Sequence, residues 1–314
     1  MSGEKIKWGV VSTIKADAGD ILTFAAHHLE AGAHRLFLYL DAPCPDAFPH
    51  LKSHPKIRVT ECNETYWRRI GRRPVKHQVR QSANASRAYQ RQAGDVDWLL
   101  HCDVDEFLWS TESVAARLAA LPSDICCARV RPVEALAGGG GTAFKGYLPV
   151  ADQDTRAARL YPQFGKHLKG GFLSHVQGKL FTRTGIDGLE IRIHNILLDG
   201  GMNPGQAELD GLDLCHFHAA DWQSWISHYR YRLQKGSYRA GLAPSRSREI
   251  GGITAHELLS TIETDHGEAG LRIFFDEVCA DSPGLRNRLQ AEGLLKIRNL
   301  DLDTKRRKHF PEFG

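Results

Sequence analysis

No stretch of the 314-residue sequence approaches the roughly 20 apolar residues that a membrane-spanning helix needs. The first residues, MSGEKIKWGVVST, pass from a short polar lead into a buried-strand pattern and lack the apolar core of a secretory signal. Both absences lead to the expectation of a soluble, cytoplasmic protein whose contact with any membrane would be peripheral. Cysteine is sparse and unpatterned: the seven thiols, at 44, 62, 102, 126, 127, 215 and 279, form no Cys-x-x-Cys pair. An odd number without framework spacing speaks against disulfides and against a cysteine zinc site, and fits reduced thiols inside apolar runs such as LLHCDVDEF. A large charge of one sign is missing too. Lys plus Arg number 41 against 37 Asp plus Glu, and a net +4 gives no argument for a nucleic-acid partner. No internal repeat is visible.

At 42% hydrophobic residues the chain can bury a substantial core. Its first half alternates two periodicities. Residues 7–12, 35–40, 57–60, 98–102 and 125–131 read as short buried strands; 19–31, 76–92 and 113–120 read as helices. Strands separated by helices imply βαβ units and a mostly parallel sheet. Ligands of such sheets bind beyond the carboxyl ends of the strands, where Asp41 and Asp103 both lie. The run AGGGG, in residues 137–141, predicts a loose excursion over 138–171, a lid or acceptor loop or else a surface insertion. Strand signals return at 178–182, 190–193 and 212–217, and a helix follows at 222–235. A polar Gly/Pro/Ser/Arg stretch spans 236–252, and 254–295 looks helical, with a basic tail at 305–308. The expected organisation is a domain of residues 1–235 with a helical extension over 236–314.

Chemistry concentrates in DWLLHCDVDEF, residues 97–107. A buried strand delivers Asp103, Asp105 and Glu106 into solvent within a few residues. Carboxylates this close repel unless a cation lies between them, and Mg²⁺ takes one or two carboxylates, filling its other positions with phosphate oxygens and water. A bare Asp-x-Asp is common; one that caps a buried strand in a βαβ context is more specific.

DWLLHCDVDEFL resembles the signature of family-2-like GT-A glycosyltransferases, Asp-Trp-hydrophobic run-Asp-x-Asp-Glu-Phe. VVSTIKADAGDILTFAAHHLEAGAHRLFLYLD is similar to their opening, as is the helix with Gln81, Asn84 and Ala88, and LCHFHAADWQSWISHYRYRLQKG is similar to a later strand, histidines and basic helix. The likeness is good over 7–110 and loose over 175–240. The turn after strand one departs from the usual Asn-Glu, reading Thr13-Ile-Lys-Ala-Asp17. The resemblance implies an α/β fold of the GT-A type: a Rossmann-like, mixed and mostly parallel sheet with flanking helices and a helical C-terminal region. It implies transfer of a sugar from a UDP- or GDP-sugar to a carbohydrate or other hydroxyl acceptor, with Mn²⁺ or Mg²⁺ as cofactor. Val11, Ser12, Thr13 and Lys15 would lie against the nucleotide, together with Asp41 and Gln81. Asp103 would touch ribose or metal, Asp105 would ligate the metal, and His216 or His218 would complete its shell.

Physical logic supports the same parts. The departing nucleoside diphosphate carries extra negative charge, which a Lewis acid and basic side chains stabilise. Arg230, Arg232, Lys235, Arg239, Arg246 and Arg248 form a basic segment from which Arg232 and Lys235 are assigned to phosphate. The ordinary reading of such a run is a solvated face. His216 and His218 alternate onto one strand face and can share a metal, although single histidines are more often structural. An inverting reaction needs a carboxylate base; Glu134, Asp152 and Asp154 follow the fifth strand, and Glu134 is assigned. A sugar nucleotidyltransferase would show a Gly-rich, Arg-bearing loop after strand one, which STIKADAGD lacks. A metallohydrolase would need clustered histidines, and alternation turns His101 away from the neighbours of Asp103. A non-catalytic nucleotide- or carbohydrate-binding protein on the same scaffold is the remaining alternative.

Overall fold

The computed structural model describes residues 6–149, 151–244 and 247–313. They fall into two compact units that interleave along the chain. Residues up to 131, 177–214 and from 300 onward make the first; 132–176 and 215–299 make the second. The boundary expected at residue 235 falls inside the second unit.

In chain order the elements are β1 (Trp8–Ile14), α1 (Ala18–Glu30), β2 (Arg35–Leu40), α2 (Phe48–Ser53), β3 (Ile57–Glu61), α3 (Glu64–Ile70), α4 (His77–Arg91), β4 (Trp98–His101), β5 (Glu106–Ser110), α5 (Val114–Ala119) and β6 (Cys127–Ala135). β7 (Ala143–Gly146) and α6 (Gln153–Leu160) precede β8 (Lys179–Arg183), β9 (Glu190–Ile191), β10 (Ile196–Leu198), β11 (Gly201–Met202) and β12 (Gln206–His216). Last come α7 (Trp222–Gln234), α8 (Ala255–Val278), α9 (Pro283–Ala291), β13 (Leu295–Ile297) and α10 (Leu302–His309).

The first unit holds a mixed sheet in the order β3-β2-β1-β4-β8-β6. β1 runs parallel to β2 and β4, and β2 parallel to β3; β8 is antiparallel to both β4 and β6. This is the α/β, Rossmann-like arrangement expected of the GT-A type, with the parallel part confined to four strands. Every residue of β1 is buried, which is why WGVVSTI reads as a continuous apolar run and not as an alternation. Val11, Phe37, Tyr39 and Leu99 share one core cluster with Ala85 and Ala88 of α4. Small residues on that helix let it lie close to the sheet. Asp17 starts α1 by accepting the Asp20 backbone N–H at 3.0 Å, and Ser113 caps α5 in the same manner.

In the second unit the end of β6 pairs antiparallel with β7, which pairs with β13. The core of this unit is aromatic: Tyr161, Trp225, Tyr229, Tyr238, Phe274 and Phe275 are all buried in one cluster. The excursion predicted over 138–171 is corrected here, since it carries β7 and α6 and buries Phe144, Leu148, Leu160 and Tyr161. The glycine run has a conformational cause. Gly138, Gly140 and Gly141 adopt φ of +83°, +72° and +71°, and a Cβ on Gly139 would fall 1.4 Å from an Asp281 carboxylate oxygen. The helical stretch predicted over 254–295 divides into α8, interrupted at Gly267, then α9 and β13, and the basic tail is the helix α10. Among the described residues no helix is long and apolar enough to cross a membrane.

Candidate functional site

β4 is buried throughout and ends at His101, so the acids follow at the carboxyl end of the parallel strands, as the sequence predicts. The turn from Cys102 to Glu106 is tied back on itself. The Asp103 backbone N–H donates to Glu106 Oε2 at 2.8 Å, and the Glu106 N–H donates to the Asp103 carbonyl at 3.1 Å. A third group locks it. Lys179, from β8, has a fully buried side chain whose ammonium lies 2.6 Å from Asp103 Oδ2 and 3.5 Å from Glu106 Oε2. Gln81 of α4 donates its amide to the other oxygen, Asp103 Oδ1. Desolvation pushes the Asp103 carboxyl up, but Lys179 outweighs it and holds the group well below the ordinary carboxylate range. Lys179 is displaced the opposite way: burial works against its charge, and Asp103 and Glu106 keep it protonated. His101, fully buried with Nε2 unpartnered, drops to about 4, through burial first and then Lys179. Its Nδ1 lies 3.2 Å from the Arg192 carbonyl oxygen.

Asp105 stands at the apex of this turn and is part-exposed. Its charge reaches the start of α1, where the Asp20 carboxyl is raised by burial, then by Asp17 and Asp105. A negative region of this kind suits a hard cation. Among the described residues no three His, Cys, Asp or Glu side chains converge as a metal cage. Mg²⁺ does not need one, because a single carboxylate plus diphosphate oxygens is an ordinary shell for it. The residues therefore fit a divalent cation at Asp105. They fit it poorly at Asp103, whose two oxygens already receive Gln81 and Lys179.

At the end of β2, Asp41 has a fully buried side chain gripped by two guanidiniums and an imidazole. Arg73 donates to Oδ1 at 3.0 Å, Arg80 to Oδ2 at 2.9 Å, and His77 Nδ1 lies 3.3 Å from Oδ2. Burial raises its pKa, but these partners lower it overall. Asp41 thus holds two guanidiniums at the strand ends. Val11 is wholly buried in the core, the Ser12 hydroxyl is buried without a partner, and Thr13 accepts the Asn84 amide at 3.0 Å. Lys15 is exposed just beyond β1.

The remaining predicted residues lie in the second unit. His216 ends β12 and His218 lies beyond the strand, with the two rings 5.5 Å apart. His218 is 8% exposed and its Nε2 is 2.8 Å from the Tyr238 hydroxyl, which also accepts the Trp225 indole N–H. Arg232 donates to the His218 carbonyl and keeps one buried guanidinium nitrogen unpartnered. Lys235 is exposed at the end of α7, and Arg246 lies outside the described residues. Glu134 is an unsuitable base. Lys145 lies 2.9 Å from it, the backbone N–H groups of Leu173 and Ser174 donate to it, and its pKa falls to about 2, with Lys145 overcoming the effect of burial. A carboxylate so engaged has no reason to take a proton from an acceptor.

Sequence reasoning missed Lys179, Arg73 and Arg80. Lys179 left a signal, being a lysine placed inside the apolar strand pattern GKLFTR. The two arginines, in a run that reads as a solvated face, left none.

No family model matches this chain. No curated protein sequence matches it. Among solved structures it is similar to the mannosyltransferase Ktr4p from S. cerevisiae, at 12% identity and a TM-score of 0.27, covering 42% of each chain. It is also similar to the galactosyltransferase LgtC, solved with donor and acceptor sugar analogues, at 14% identity and a TM-score of 0.25, covering 56% of this chain and 57% of that one. Each likeness thus spans about half of either chain.

Proposed function

We propose that this chain is a glycosyltransferase that moves a sugar from a nucleoside-diphosphate sugar, UDP- or GDP-linked, to a hydroxyl of a carbohydrate or other acceptor. The observation that carries the reading is the Asp-Val-Asp-Glu turn at the carboxyl end of a parallel strand, held in one conformation by Lys179 and Gln81. Ligands of open α/β sheets bind at such strand ends. Asp105 would hold a Mn²⁺ or Mg²⁺ ion, which when bound supplies Lewis-acid stabilisation of the departing diphosphate. Arg73 and Arg80, fixed by Asp41, bring positive charge to the same end of the sheet for an anionic nucleotide. The clamped turn orients Asp105 in advance, so little ordering remains to be done when donor binds.

The test is a thermal shift measurement with UDP, GDP, ADP and dTDP, each with and without Mn²⁺. One nucleotide is expected to raise the melting temperature by several degrees, and more so with Mn²⁺. Donor turnover then separates a transferase from a protein that only binds. No shift with any nucleotide would remove the reading.

A further inference from the structure

We propose that the end of α3, the turn that follows it and the first residues of α4 form a surface that docks this protein on an anionic lipid bilayer. The proposal is independent of the nucleotide-sugar reading above. It starts from how charge is distributed along the chain. Between Glu64 and Asp95 there are eight Lys and Arg residues and no acid, although the whole molecule is only +4. The rest of the chain is therefore net negative, and positive charge gathers in one segment. Arg68, Arg69, Arg72 and Lys76 of that segment are exposed. Among the described residues no carboxylate pairs with any of these four, so nothing in the protein relieves their mutual repulsion.

A basic run of this kind is ordinarily a solvated face. Two apolar side chains set this one apart. Val75 is 87% exposed and Val79 is 49% exposed, on either side of Lys76 in the chain. The backbone at Val75 is braced from within. Arg80 donates to the Pro74 carbonyl at 2.9 Å and to the Val75 carbonyl at 2.8 Å. Arg80 is itself held on the buried Asp41 carboxylate, which also takes Arg73 at 3.0 Å. The turn is thus fixed at its base and offers solvent both valine and unpaired cations. An anionic bilayer satisfies both parts. Its negative surface potential attracts Lys and Arg, and its interfacial region takes up apolar side chains. A nucleic acid would match the charge and leave the valines in water.

The test is co-sedimentation of the full chain with vesicles of phosphatidylcholine alone and of phosphatidylcholine mixed with phosphatidylglycerol, at low and at raised salt. Wild type is expected to pellet with the mixed vesicles only, and to be released as salt screens the attraction. Arg68→Gln, Arg69→Gln, Arg72→Gln and Lys76→Gln, combined, should weaken partitioning by about fivefold for each charge removed. Val75→Ser with Val79→Ser should weaken it by about tenfold. All six side chains are exposed, so both variants should melt as the wild type does. A wild type that ignores the mixed vesicles, or binds both kinds equally, would overturn the proposal. So would a valine variant that partitions as the wild type does, because charge alone would then govern and the partner would be a soluble polyanion such as nucleic acid.

Discussion

Lys145 and Lys179 are fully buried ammonium groups, and each persists because a carboxylate meets it: Glu134 at 2.9 Å, Asp103 at 2.6 Å. A buried charge without a partner is far costlier than a buried pair. Glu134→Gln should therefore destabilise the protein by about 3–5 kcal/mol, because Lys145 is left uncompensated. The double variant Glu134→Gln, Lys145→Met should recover much of that loss. The pH dependence has a definite sign. The folded pKa of Glu134, about 2, lies below the ordinary value of 4.5. The pair therefore contributes fully above pH 4.5, and its contribution falls away as pH drops from there toward 2. Denaturant unfolding followed across that window should show a steeper loss for wild type than for the double variant. Equal slopes would count against the pair as a source of stability.

At the level of elements, close approach and not propensity decides several outcomes. Gly165 lies under the last turns of α6, where a Cβ would come 2.1 Å from the Ala157 carbonyl oxygen. Gly165→Ala should cost roughly 1–3 kcal/mol through overpacking, seen as a lower melting temperature and faster amide exchange in α6. An unchanged melting temperature would show that this contact is easily relieved. α7 makes a related point. Two of its aromatic residues, Trp225 and Tyr229, are core, and Arg232 is turned to the His218 carbonyl. Tyr229 is buried and Arg232 half-buried, whereas Lys235, just past the end of α7, is exposed. Helical periodicity names a face; it does not say whether that face meets water or another element.

Across the whole molecule, parts far apart in the chain complete one another. α10 lies on α1, with Lys308 2.8 Å from Glu30 and Phe310 buried to 4% exposure. Removing residues 300–314 should thus destabilise the first unit, and Phe310→Ala alone should cost about 3 kcal/mol. Exchange in α1 reports it: protection unaltered by the truncation would show that α10 only rests on the surface. Some of this protein was determined by the sequence itself. The strands β1, β2 and β4 and helices α1 and α5 follow from local pattern, because buried strands read as apolar runs and capping residues act within a few positions. The acidic turn after β4 is equally local, being set by where a buried strand must end. Other features were decided by tertiary structure alone. Lys179 meets Asp103 across 76 residues of chain, and Arg80 meets Asp41 across 39. Glu134, placed by sequence near a reaction, is instead paired with Lys145 in a core. Electrostatic partners such as these depend on distance in space, and short-range pattern carries no information about which distant side chain arrives.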